Sequence, residues 1–170
     1  MNIRKLLETG HSKSITNKIV AYVGADQERF NSLITIFLAG PHRITQRAAW
    51  PLSYCVKQHP FLIERHYNTI PKMVAKPGVH DAVKRNIVRL LQFVEVPGKY
   101  QGKVIDMCFA LMDPKEPIAV RAFSMTVLGN LAGRHPDLKK ELRLVIEDQL
   151  PYGSAGFVGR AKKVLKQLEK

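Results

Sequence analysis

Phe30, Leu33, Ile34, Phe37 and Leu38 fall at i, i+3, i+4, i+7 and i+8, the spacing that lines one side of an α-helix with apolar groups. Asp26 stands four residues earlier and can cap that helix. Val104, Ile105, Cys108, Leu111 and Met112 make a similar stripe. Leu138, Leu142, Val145 and Ile146 make another, after Asp137 as an expected cap. These three segments, with a fourth at about residues 61–75, are termed A helices. The segments that follow them, at about 42–59, 80–96, 117–135 and 155–169, are termed B helices. No window of sustained alternation predicts a strand. Residues 1–24 predict one or two short helices broken near Gly10.

Proline gives the period. Pro41, Pro77, Pro114 and Pro151 are spaced by 36, 37 and 37 residues, and Pro60, Pro97 and Pro136 by 37 and 39. Proline lacks the amide proton that a helix interior needs, so two phases per period predict two helices per repeat. The B helices also share an arginine: Arg47, Arg85, Arg121 and Arg160 recur at intervals of 38, 36 and 39. Their contexts read QRAAWPL, KRNIVRLL, VRAFSMTVLGNL and GRAKKVL.

The segment DPKEPIAVRAFSMTVLGNLAG, residues 113–133, resembles a HEAT repeat. It has an Asp-Pro turn, Val-Arg at the start of the second helix, small inner residues and a Leu-Gly-x-Leu ending. The resemblance extends less clearly over about residues 25–170. It implies an all-α fold, a right-handed α-α superhelix with repeats at about 25–60, 61–97, 98–136 and 137–170. Residues 1–24 are then an N-terminal helical cap on a single solenoid domain. The resemblance also implies B helices along a concave side, and a ladder in which the repeated arginine meets an aspartate. Asp81 and Asp113 are placed to serve the second and third repeats, whereas residues 29–63 and 149–168 hold no acid. Stacking itself follows from the pattern, because a lone two-helix unit cannot bury its stripe.

Charge adds a class of partner. The 170 residues carry 27 Lys and Arg against 14 Asp and Glu, a formal net charge of +13. Residues 41–80 hold six bases and one acid. In the first B helix, Arg43, Arg47, Trp50, Tyr54 and Lys57 fall within one narrow stripe at 100° per residue, with Ile44, Ala48, Leu52 and Cys55 on another side. Pro51 can bend that helix, and Trp50 and Tyr54 can alternatively pack between repeats. Arg85, Arg89, Arg121, Arg160 and Lys163 extend the candidate binding residues along the other B helices. A positive concave surface attracts polyanions, so the expected partner is an acidic protein segment or a nucleic acid. The same arginines read equally well as a ladder holding repeats in register.

Other chemistry is sparse. Cys55 and Cys108 are 53 residues apart and make neither a disulfide framework nor a zinc set, so they read as small core residues. The six histidines show no metal-ligand spacing, so no metal and no cofactor are expected. His59 and His135, each before a proline, are placed to cap helix ends. Gly153 to Arg160 offers glycines before a helix start but matches no phosphate loop. No catalytic constellation is present, so a non-catalytic binding scaffold is expected. The repeat is also similar to the HEAT-like alkylated-DNA glycosylases, for which Asp81 or Asp113 would be the candidate acid. No apolar run approaches the roughly 20 residues of a membrane span, and no secretory segment can be drawn, so a cytoplasmic location is expected.

Overall fold

A computed structural model describes residues 1–170. The chain is all helical, with ten α-helices, two 3₁₀ segments and no strands. The helices gather into two compact units, Met1–Asn86 with Phe93–Glu95 and Ile87–Gln92 with Val96–Lys170.

The first unit holds α1 (Ile3–Thr9), α2 (Lys13–Val23), α3 (Gln27–Ala39), α4 (His42–Gln58), a 3₁₀ segment (Pro60–His66) and α5 (Thr69–Val74). The boundaries follow local chemistry. Asn2, Ser12 and Asp26 accept from backbone N–H groups in the first turns of α1, α2 and α3, as expected for Asp26. Gly24 ends α2 at φ 49°, a backbone angle that glycine adopts without a side-chain clash. α4 packs against α1, α2, α3 and the 3₁₀ segment. Its inward side buries Ile44, Ala48, Leu52, Cys55 and Val56. The buried Thr45 donates to Phe37 O at 2.9 Å and closes the α3–α4 corner.

The second repeat departs from the expected A helix at 61–75. It is a 3₁₀ turn followed by the six-residue α5. Pro71 fits only near a helix start, where its missing N–H has no intrahelical acceptor, so α5 begins at Thr69. The 3₁₀ segment is tied to α3 instead: Gln27 Nε2 donates to Leu62 O at 3.0 Å and His66 Nε2 lies 2.9 Å from Asn31 Oδ1.

His66 is half-buried, and burial together with the nearby Arg65 charge lowers its pKa from the ordinary 6.5. The unfolded chain therefore binds this proton more readily. The His66 contribution should weaken stability as pH falls from about 6.5 towards the lower folded-state value, and level off beyond it. Thermal unfolding between pH 7 and 5 checks this: His66→Gln should lose less melting temperature over that range than the unaltered chain.

α6 (Asp81–Leu91) runs from the first unit into the second. It stops at Leu91, short of the expected residue 96, and Pro97 caps the next helix. The second unit continues with α7 (Gly98–Ala110), α8 (Ile118–Ala132), α9 (Pro136–Gln149), a short 3₁₀ turn (Leu150–Tyr152) and α10 (Ala155–Leu168). α8 packs against α7, α9 and α10. It buries Val120, Met125, Val127, Leu128 and Leu131 around much of its circumference.

Two capping expectations, those for Asp137 and His135, need correction, and that for His59 holds through its backbone. Asp137 is not the cap of α9: it lies in the first turn, after Pro136, with His135 at the cap position. The His135 ring turns to Gln101 Oε1 at 2.6 Å, so it joins α9 to α7 rather than capping carbonyls. His59 caps α4 through its backbone N–H on Cys55 O, while its ring meets Phe61 edge-on. Cys55 and Cys108 are free and buried core residues, and burial pushes the Cys55 thiol up to about 12.

Candidate interaction surface

α4 presents a basic and aromatic stripe because its apolar residues claim the opposite side. Arg43, Trp50, Tyr54 and Lys57 are exposed, and Arg47 is partly so. The helix remains continuous from His42 to Gln58 despite Pro51, whose ring is buried. Trp50 and Tyr54 retain 36% and 44% of their accessible surface, so neither is consumed by packing. One contact on the stripe was not readable from sequence. His11, between α1 and α2, stacks on Trp50 with ring centroids 5.1 Å apart and planes within 18°. Thirty-nine residues separate the two, and no local pattern links them.

The repeated arginines behave differently from the rest of the stripe. Arg47 Nη1 donates to Leu7 O at 2.8 Å and Glu8 O at 3.0 Å. These carbonyls belong to the last turn of α1, where no intrahelical donor reaches them. The guanidinium is thus a cation at a helix C-terminus, where the dipole favours it.

In the second unit the arginines make a reciprocal exchange. Arg121 of α8 lies over the Phe157 ring of α10, 4.4 Å from its centroid. Arg160 of α10 lies 6.0 Å from the Phe123 ring of α8. Arg121 also donates to Gln149 Oε1, and Gln149 Nε2 donates to Met112 O at 2.9 Å. Arg160 donates to Thr126 Oγ1 at 3.0 Å. Gly129 permits the close approach, since a Cβ there would sit 3.0 Å from Val164 Cγ1. Ser154 caps α10 and accepts from Phe157 N–H at 3.3 Å, so the glycine-containing turn seats that ring.

A ladder is therefore present, but its acceptors are carbonyls, an amide and a hydroxyl. The expected aspartates are not its partners. Asp113 is held in its own turn, accepting from Lys115 N–H at 2.8 Å, and Asp81 sits exposed in the first turn of α6. Arg85 and Arg89 are exposed on α6. Lys163 is exposed on α10 with Lys162 and Lys166.

A sequence model of the HEAT repeat domain matches residues 3–168. The chain belongs to the HEAT repeat family. Neither a curated protein nor a solved structure matches it. As a HEAT repeat protein it is a helical repeat scaffold, and such repeats are typically non-catalytic. No helix is long and apolar enough to cross a membrane. No group of three or more His, Cys, Asp or Glu side chains is placed to hold a metal ion.

Proposed function

We propose that this HEAT repeat protein is a non-catalytic scaffold that binds an acidic macromolecule on exposed basic faces of its B helices. The observation that carries the reading is the α4 stripe. Arg43 and Lys57 are exposed at either end of two exposed aromatic rings, on a helix without an acidic residue. Opposite charge draws the partner in, and the rings supply contact area that bare lysines lack. α10 supports the reading independently, since it exposes Lys162, Lys163 and Lys166 and holds no acid between Ala155 and Leu168. Arg85 and Arg89 add exposed charge on α6. The scaffold reading assigns Arg47, Arg121 and Arg160 chiefly to holding helices together. An acidic protein segment and a nucleic acid both satisfy this chemistry.

Fluorescence anisotropy tests it, with a labelled poly-glutamate peptide and labelled oligonucleotides titrated from about 50 to 200 mM salt. Binding should weaken log-linearly with salt. For a single strand meeting only Arg43 and Lys57 the slope should be near −1.4, about 0.7 for each phosphate neutralised. No binding of any polyanion at about 50 mM salt would overturn the proposal.

A further inference from the structure

We infer that the partner of the α4 face is a single-stranded nucleic acid, whose bases stack on Trp50 and Tyr54 after displacing His11. The inference rests on the acidic-partner reading and narrows it to one class of macromolecule. Charge alone does not distinguish a phosphate chain from a run of carboxylates, but planar rings do. Trp50 and Tyr54 are one helical turn apart and both keep more than a third of their surface exposed. A flat, nearly parallel ring already rests against the indole: the His11 imidazole, 5.1 Å away and tilted by only 18°. His11 comes from the short connection between α1 and α2, and is itself exposed. The indole face is therefore covered by an exposed planar ring that a base arriving from solvent can displace. Acidic side chains have no comparable flat apolar face, whereas every nucleobase does.

The spacing favours a single strand. Residues 50 and 54 are about 6 Å apart along the helix axis at 1.5 Å per residue. Paired bases in a duplex rise about 3.4 Å and hide both faces in the stack. An unstacked strand can place separate bases on the two rings. Arg43 and Lys57 stand about 21 Å apart along the same axis, bracketing the rings and placed to meet phosphates on either side. His11 then occupies the stacking position until a base replaces it.

Trp50 is the only tryptophan in the chain, so its emission reports on this position without a label. The full-length protein is titrated with oligothymidylate and oligouridylate of twelve nucleotides, a duplex of equal length, and poly-glutamate, each at about 50 mM salt. The single strands should quench Trp50 and bind at least tenfold more tightly than poly-glutamate. Tyr54→Ala should weaken binding by about tenfold, within the range expected for loss of one stacked base. Trp50→Phe should retain part of the affinity that Trp50→Ala loses, with circular dichroism showing that each variant keeps its helices. His11→Ala should bind several-fold more tightly, because the indole face is vacant. Poly-glutamate binding as tightly as the strands, or strand binding without change in Trp50 emission, would overturn this inference and leave the acidic-partner reading standing. Tighter binding of the duplex would also overturn it. No binding by any of the four would overturn both.

Discussion

Phe157→Ala should lower the stability of the helices that pack on α10 by about 3–5 kcal/mol, the usual range for removing a buried phenylalanine. Phe157 is fully buried, and its ring is the surface on which the Arg121 guanidinium rests at 4.4 Å. Alanine leaves a cavity and also removes the apolar support of a partly buried cation. Part of the loss should be specific to the ring. Phe157→Leu restores most of the volume but not the cation–π contact, worth about 0.5–1 kcal/mol at a site of this kind. It should therefore fall between the other two. Urea unfolding followed by circular dichroism measures the series. A shift below about 1 kcal/mol for alanine would show that the α8–α10 exchange does not hold this unit together.

Arg47→Glu should cost about 2–3 kcal/mol. Two charge-assisted hydrogen bonds from one Nη1, to Leu7 O and Glu8 O, are lost, together contributing about 2–3 kcal/mol at this partly exposed site. The new carboxylate also faces the negative end of α1. The effect should concentrate where α1 meets α4, so hydrogen exchange in Ile3–Thr9 should rise more than elsewhere. Arg47→Lys should be milder, since one ammonium can still reach a carbonyl. If Arg47→Glu left stability and α1 exchange unchanged while abolishing polyanion binding, Arg47 would be a ligand contact rather than a helix cap. Because of this structural duty, reversing Arg47 or Arg121 confuses unfolding with loss of binding, whereas Arg43 and Lys57 are free of it.

The architecture was legible wherever one residue type had only one physical use. The two proline phases preceded alternating helices because proline cannot occupy a helix interior without losing a hydrogen bond. Pro41 and Pro97 do stand at the caps of α4 and α7, and Pro136 opens α9. The second A segment is a 3₁₀ turn and a short α5 because Pro71 must sit in a first turn, which the repeat period alone does not register. Three of the four repeated arginines, Arg47, Arg121 and Arg160, make cross-helix contacts, but their partners were not readable. A guanidinium donates to any oxygen in reach, and Leu7 O, Gln149 and Thr126 carry no charge to betray them. Within the α4 stripe, helical geometry alone placed Arg43, Trp50, Tyr54 and Lys57 on one exposed side. The His11–Trp50 and His42–His80 pairs, the latter with ring centroids 3.7 Å apart, depend on how distant elements pack. No periodicity announces such contacts.

The α4 stripe is best tested by the affinity of the Arg43→Glu, Lys57→Glu double variant for the polyanion that binds the unaltered protein most tightly. Both side chains are exposed, so the variant should melt at the same temperature as the parent. At about 100 mM salt its affinity should fall by tenfold or more, and its salt slope should flatten. Unchanged affinity and slope in a folded double variant would contradict the assignment of this face to an acidic partner.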